Sequence, residues 1–506
     1  MHRFAKCLCV FLLASFVLPA SPAVADDRPN ILWIFSEDLS PFMGCYDDPI
    51  NMGHTPAIDQ FATEGVLFKR AFMPAPVCSS CRSAIITGVM QTTTGTHQHR
   101  SGRFTNGTVV PEELRIYLPA GIKTIPELMR DAGYFTFNSG KDDYNFHYDR
   151  RKLYSVGNEP DYKAGMNGWQ GNHAHHNMSV TEDTWNSRPK KSQPWFGQIE
   201  IKGGKANAKH VRKGERLAKE AVPLPPYFPD TPGHRASWTM HYNAARGADV
   251  RVEEILRQLE TDGELDNTVV FFFSDHGSNH SLRHKQFCYE GGVHVPLMVK
   301  GKHPALKAGT VRNELVSGLD ISATTLAMGN AVTPDYLDGQ NLFGDDYKPR
   351  DYVISARDRC DYTIDRIRTV RSETMRYIRN YFPDRPLLQA QYRDNKTEVK
   401  DFKRLRKAGE LNDYQEEHWF GMRPTEELYD LAVDPHQMNN LAADPKHAGK
   451  LKKHREILET WIAESGDKGP FPESVAQLKA TYDLWKDKPV FKNADVNPEY
   501  EQFKRQ

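Results

Sequence analysis

Thr268-Val269-Val270-Phe271-Phe272-Phe273-Ser274-Asp275-His276-Gly277 decides the architecture. Thr268 to Phe273 carries no charge and is β-branched or aromatic throughout, which predicts a strand buried on both faces, the most apolar in the chain. An acid and a histidine stand just beyond its carboxyl end. Upstream, Trp238 to Leu259 has the period of a long amphipathic helix that hands over to this strand. The arrangement repeats at Asn30 to Phe35, an apolar run ending in the acidic pair Glu37-Asp38. Val66 to Phe72, Tyr134 to Asn138, Phe196 to Ile201 and Val295 to Val299 read as further strands. Helices fall between them: one capped by Thr55-Pro56 and stopped by Gly65, one starting near Cys81, one over Thr124 to Arg130 and one from Asp320. This alternation implies an α/β fold whose central, mostly parallel sheet is covered on both faces. Ligands in such folds bind beyond the carboxyl ends of the strands. Glu37-Asp38 and Asp275-His276, remote in sequence, are therefore expected side by side.

The chain of 506 residues has room for one large domain and an appendage. After about residue 350 the pattern changes. Arg368 to Tyr381 alternates as a strand does, Glu427 to Leu431 is a short strand, and Leu451 to Ile462 is a helix. The expected organisation is a leader at 1–25, a catalytic domain at 26–350 and a smaller C-terminal α+β subdomain at 351–506. In the leader, Arg3 and Lys6 precede the apolar run Cys7 to Leu18, and Ala23-Val24-Ala25 forms a small-residue cleavage site. That run is too short to span a bilayer, so the reading is an exported protein, periplasmic or secreted. No later stretch has membrane-spanning length. Basic and acidic residues number 66 each, which excludes a globally basic nucleic-acid binder. Beyond the leader lie Cys45, Cys78, Cys81, Cys288 and Cys360, too few and too odd for a disulfide framework. Long Gly/His/Pro-rich stretches at 89–122, 141–194 and 202–235 have the length of functional loops.

A second segment carries the chemistry: Pro76-Val77-Cys78-Ser79-Ser80-Cys81-Arg82-Ser83-Ala84-Ile85-Ile86-Thr87-Gly88. The C-x-x-C spacing of Cys78 and Cys81 admits a redox pair or half a zinc site, but no second C-x-x-C completes one. A helix beginning near Cys81 would aim free N–H groups at an incoming anion. The segment closely resembles the signature of the formylglycine-dependent (type I) sulfatases, a cysteine followed two residues later by proline or alanine and four later by arginine. Arg82, Ser83-Ala84 and Thr87-Gly88 match; Ser80 stands in place of the proline. The resemblance implies that a maturation enzyme oxidises Cys78 to formylglycine. One hydroxyl of the hydrated aldehyde then attacks sulfur, and the other lets sulfate be expelled as the aldehyde re-forms.

Further motifs extend the resemblance over about residues 29–465. Glu37-Asp38 is similar to the family's paired acids, usually two aspartates, and Asp275-His276 to its second ligand pair. Together they imply a hard divalent cation, Ca2+ or else Mg2+, on Glu37, Asp38, Asp275 and His276. His280 to Pro296, with Tyr289-Glu290-Gly291-Gly292, resembles the segment in which Lys285 would bind sulfate and neutralise charge on the leaving oxygen. Gly140-Lys141 resembles a glycine-lysine pair that also binds sulfate, although Asp143 replaces the histidine usual two residues later. The histidine that follows the strand before the long helix has no single counterpart, and the leaving-group acid is left open between Lys205 and His210. Lys205, His97, His99 and Arg100 are the candidates for substrate contacts. His173, His175 and His176 read as a polar loop. Arg357-Asp358-Arg359, Glu427 to Leu431, Asp434-Pro435 and Asn440-Leu441 resemble the C-terminal region of bacterial carbohydrate sulfatases.

The resemblance thus implies an alkaline-phosphatase-like sandwich that hydrolyses sulfate esters, on a sulfated sugar by analogy. Two alternatives remain. One is a phosphonate or phosphate ester hydrolase of the same superfamily, and the other a homologue that binds sulfated glycans without turnover.

Overall fold

The computed structural model describes residues 27–101, 111–156, 184–205, 210–219, 221–488, 491 and 497–504. The leader and His173, His175 and His176 lie outside them. Seven strands form the main sheet: β1 (Asn30–Ser36), β2 (Val66–Phe72), β3 (Phe135–Ser139), β4 (Trp195–Ile201), β5 (Thr268–Ser274), β6 (His294–Lys300) and β7 (Thr310–Ser317). Their order is β3-β4-β1-β5-β6-β2-β7. The block β3-β4-β1-β5 is parallel throughout. β6 runs antiparallel to both β5 and β2, which makes the sheet mostly rather than wholly parallel.

Alternate residues of β1 and β5 enter opposite cores, as the period of a strand requires. Ile31, Trp33, Phe35, Phe271 and Phe273 pack with α2 (Cys78–Thr87) and the helices Ile125–Asp131 and Asp320–Met328. Leu32, Ile34, Val270 and Phe272 pack with α1 (Pro56–Glu64) and the helix Pro232–Thr261. Both faces are covered. Each side chain fully buried this way contributes about 1.5–3 kcal/mol relative to exposure.

Three expectations need adjustment. β7 was not foreseen, because Arg312, Asn313 and Glu314 interrupt its apolar pattern on a sheet edge, where such residues are tolerated. Arg368 to Tyr381 is a hairpin rather than one strand: β9 (Ile367–Ser372) turns at Glu373-Thr374 into β10 (Met375–Asn380). With β8 (Tyr352–Arg357) and β11 (Glu426–Asp430) these make a separate four-stranded antiparallel sheet. Finally, α2 begins at Cys78, not Cys81, with Cys81 N–H already donating to Val77 O at 3.0 Å.

Candidate active site

Register brings the acids together. β1 and β5 pair in parallel with Ser36 opposite Ser274, so the residues that follow, Glu37-Asp38 and Asp275-His276, emerge side by side. Asp38 N–H donates to Asp275 Oδ1 at 2.9 Å, and Asp275 N–H to Ser36 O at 3.2 Å. β4 pairs on the other flank of β1 and turns through Gly203-Gly204 to Lys205. That turn depends on glycine. Gly203 has φ +41°, and a Cβ on Gly204 would lie 1.8 Å from Asp38 O. β3 ends in Gly140-Lys141, and the chain after β2 leads through Pro76 to Cys78 at the first residue of α2. Five strands thus deliver their following residues to one place.

The central groups are buried, apart from Lys205, which is partly exposed. The ligand atoms of Asp38, Cys78, Asp275 and His276 lie within 4.8 Å of one another. His276 Nε2 stands 3.2 Å from Cys78 Sγ and 3.2 Å from Asp38 Oδ1, and its Nδ1 lies 2.8 Å from Gly277 O. Lys285 Nζ reaches Asp38 Oδ2 at 2.9 Å and Cys78 Sγ at 3.4 Å. Lys141 Nζ binds Glu37 Oε1 and lies 3.1 Å from Asp143 Oδ2, while Lys205 Nζ donates to Glu37 Oε1 at 2.7 Å. Arg82 spans the floor, with Nε on Asp275 Oδ2 at 3.2 Å and Nη1 on Glu200 Oε2 at 3.2 Å and Lys141 O at 2.9 Å.

The electrostatics follow from this crowding. Burial pushes the Cys78 thiol up, but Lys141, Lys285 and Lys205 outweigh it and bring its pKa down to about 6. Burial likewise opposes ionisation of Asp38, yet Lys205 and Lys285 hold it well below the usual carboxylate range. Lys285 loses solvation and is still held protonated by Asp38 and Cys78. Cys81 behaves oppositely: burial and then Asp275 raise its pKa, and its side chain packs in the apolar core. The described cysteines are all free thiols, and Cys81 is outside the group whose ligand atoms converge.

Other expected residues divide. His99 Nδ1 lies 2.9 Å from Ser79 Oγ and Arg100 N–H donates to the same hydroxyl, so both border Cys78. His97 is buried behind them, its carbonyl accepting from Ser80 Oγ at 2.8 Å. The position where proline was expected is thus a hydrogen-bonding serine that ties α2 to this loop. Two residues stand outside that convergence. Glu37 is not among the groups whose ligand atoms lie within 4.8 Å of one another, and its Oε1 accepts from Lys141 and Lys205. His210 is exposed and lies against Gly247, midway along the helix Pro232–Thr261. None of the contacts among the described residues joins it to the cluster.

Sequence reasoning missed Glu200 and the role of Asp143. Glu200 closes β4, accepts from Arg82 and from Lys141 N–H at 2.8 Å, and burial raises its pKa well above normal. Its position in a strand-end pattern like those of Glu37 and Asp275 was the available signal. Asp143 grips Arg100 through two bonds of 2.8 and 2.6 Å, so the residue in the histidine's place anchors a cation beside the thiol.

A helix N-terminus, a thiol of lowered pKa, paired carboxylates and three lysines thus meet beyond the carboxyl ends of the strands, an arrangement that suits a tetrahedral oxyanion. The sulfatase family model matches residues 29–331, and the chain belongs to that family of sulfuric ester hydrolases. It is 30% identical over 475 residues to an ulvan-active sulfatase of Formosa agariphila, covering 88% of this chain and 77% of that one. Among solved structures, a 2-O GAG sulfatase superposes with a TM-score of 0.59 at 18% identity, covering 90% of this chain and 96% of that one. A phosphonate monoester hydrolase of Agrobacterium radiobacter gives the same TM-score and identity, covering 87% and 96%. The fold is therefore common to both chemistries, and the family assignment rests on sequence.

Proposed function

We propose that the chain removes sulfate from a sulfated polysaccharide or oligosaccharide, using formylglycine derived from Cys78 and a divalent cation on Asp38, Asp275 and His276. The observation that carries this reading is the in-register pairing of β1 with β5, which sets these ligand atoms within 4.8 Å of one another and of Cys78 Sγ. The donor set fits the ion: two carboxylates are hard oxygen ligands for Ca2+ or Mg2+, and oxidation of Cys78 replaces a soft sulfur with oxygen. When bound, the cation neutralises negative charge on the sulfate. Glu37 is then best read as the acid that positions Lys141 and Lys205.

The residues of the chain have distinct tasks. Cys78 at the first turn of α2 places the nucleophile where the backbone N–H groups and helix dipole favour an anion. Lys141, Lys205 and Lys285 approach from three different loops and supply fixed positive charge where the transition state gains negative charge. Arg82 binds Asp275, Glu200 and the Lys141 carbonyl together and so holds the loops in place. Lys205 is held protonated against burial by Asp38 and Glu37, which suits charge neutralisation better than proton donation.

The ulvan-active relative supports a glycan substrate. Residues 1–25 support export, where a formylglycine-generating or equivalent enzyme would act on Cys78. Residues 26–350 form the catalytic domain in this reading and 351–506 the C-terminal subdomain, and no described helix is long and apolar enough to cross a membrane. The test is release of inorganic sulfate from ulvan by matured protein, before and after chelation. Activity should vanish with chelator and return with Ca2+ or Mg2+. Undiminished release from metal-stripped protein would rule out the assignment of Asp38, Asp275 and His276.

A further inference from the structure

Lys285 sits in a stretch with no regular structure of its own. Between Ser274, the last residue of β5, and the short helix Glu290–Val293, the chain makes only turns and bends. His284 N–H donates to Ser281 O at 3.3 Å, Lys285 N–H to Ser278 O at 3.2 Å and Phe287 N–H to His284 O at 3.0 Å. Isolated turns of this kind pair few of their own groups, and a buried carbonyl then needs a donor from elsewhere. Lys285 Nζ is nevertheless closely placed, 2.9 Å from Asp38 Oδ2 and 3.4 Å from Cys78 Sγ.

One side chain supplies the missing donors. Arg393 is buried, and its Nη1 donates to Asn279 O and to Ser281 O, both at 3.2 Å. Its Nη2 donates to Lys285 O at 3.0 Å, and its Nε to Gln391 Oε1 at 2.7 Å. Arg368 pairs with Asp467, whereas none of the ion pairs among the described residues includes Arg393. Burying a cation is costly unless polar groups compensate it. Here the carbonyl dipoles of a single turn segment do so. Lys396 adds to the hold, its Nζ lying 3.1 Å from Asn279 O and 3.2 Å from Asn279 Oδ1.

The next residue is held from the opposite side. Gln286 has φ +77°, in the left-handed region that side-chain-bearing residues seldom occupy. Its N–H donates to Pro76 O at 2.7 Å, two residues before Cys78, and its Nε2 to Asp361 Oδ2 at 2.8 Å. Lys285 C=O and Gln286 N–H belong to one peptide, which is a rigid plane. Arg393 grips that plane by its oxygen and the nucleophile's own loop grips it by its nitrogen. Fixed at both poles, it sets the origin of the Lys285 side chain relative to Cys78.

We propose that Arg393 is a positioning residue for the reaction: by holding the carbonyls of Asn279, Ser281 and Lys285 it keeps Lys285 over Cys78, so that turnover depends on a side chain far beyond the catalytic sheet. The proposal rests on the reading in which Cys78 and Lys285 act on the sulfate. No contact among the described residues joins Arg393 to Cys78, so its effect passes through Lys285.

Sulfate release from ulvan by matured protein tests it. Arg393→Gln should lower kcat by about 10²-fold with KM within about 3-fold, the pattern of a misplaced catalytic group. Arg393→Lys should recover part of the loss, since an ammonium offers donors without the planar fork. The deciding variant is the double one. Lys285→Ala alone should cost roughly 10²–10³ in kcat/KM, and adding Arg393→Gln should cost less than about 3-fold more, because the group being positioned is gone. Losses that multiply overturn the proposal, as does wild-type kcat in folded Arg393→Gln protein with only the urea midpoint lowered. If Arg393→Gln does not fold, the cycle run with Arg393→Lys decides by the same criterion. Hydrogen exchange separates the two readings. Amide protection at His284, Lys285, Gln286 and Phe287 should fall by about 10-fold in Arg393→Gln while β1 and β5 keep theirs. If the wild type releases no sulfate and this local loss still appears, the hydrolase reading falls and the positioning stands. If sulfate is released while protection and turnover in the variant match the wild type, only the positioning falls.

Discussion

Charge is buried in two regions of this molecule, by different residues and with different consequences. At the ends of the parallel strands it is lysine. Lys141 and Lys205 share one oxygen of Glu37, Lys285 straddles Asp38, and together they pull the Cys78 thiol down to about 6. Beneath the antiparallel sheet it is arginine. Arg368 binds both oxygens of Asp467 at 2.8 Å and also Asp358; Arg376 binds Glu290; Arg357 binds Asp365 and Gln389 at 2.7 Å each. Arg393 reaches out of this region to the carbonyls of Asn279, Ser281 and Lys285. A guanidinium is a planar fork that fixes its partners, whereas an ammonium is a compact charge that can exchange a carboxylate for an arriving anion. The second region is therefore a clamp, whereas the first, in the proposed reading, is a set of cations for an arriving anion.

The largest effect should come from breaking the clamp. Arg368→Leu leaves Asp358 and Asp467 buried with only Arg366, 3.6 Å from Asp467, as a remaining counter-charge, which costs about 3–5 kcal/mol in unfolding free energy. Urea titration followed by tryptophan fluorescence would measure it. Arg368→Lys should recover only part, because one ammonium cannot span both oxygens of Asp467. Wild-type stability in both variants would erase the distinction between the regions.

In the other region the loss should fall on turnover and not on stability. Lys141→Ala and Lys285→Ala should each lower kcat/KM by roughly 10²–10³, the usual price of an electrostatic donor, with the urea midpoint little changed. Arginine at either position should rescue partially. If Lys141→Ala works like wild type, the Gly140-Lys141 loop is not part of the reaction, and Arg100, held by Asp143, becomes the cation to test.

The smallest effect sharpens the contrast through pH. Burial, reinforced for His284 by Arg283 and Arg393, brings His284 down to about 3, and burial brings His234 to about 4; His241 is also held well below 6.5. Unfolding raises each to its ordinary value near 6.5, so between these limits the unfolded chain binds more protons. Their contribution to stability is therefore complete above pH 6.5 and is lost progressively as pH falls toward 4. Thermal melts between pH 7 and pH 4 should show the decline, and His284→Gln should flatten part of it. A flat profile would contradict the neutral, buried state of these rings.

Much of the lysine region could be read from the chain itself, because strand-end acids and a helix-start cysteine are local patterns. Asp38, Asp275, His276, Cys78 and Lys285 meet where that reading places them. What escaped it depended on how separate segments pair. Glu200 becomes a site residue only through the register of β4 with β1. Glu37 meets two lysines that converge on it from separate loops, and His210 is exposed. The reversed direction of β6 follows from the segment Ser278–Val293 folding back across the sheet end, which is also what carries Lys285 to Cys78. The arginine clamp was least legible. Arg368 and Asp467, or Arg359 and Glu473, are about a hundred residues apart and join only when the C-terminal helices close over the sheet.

The central claim is that Cys78 acts as an oxidised residue, and mass spectrometry of its tryptic peptide from protein exported by its own host tests it most directly. The account predicts a peptide in which Cys78 has lost its sulfur and gained an aldehyde that reacts with hydrazide reagents, while Cys81, three residues on, remains an alkylatable thiol. An intact thiol at Cys78 throughout an active preparation would contradict it.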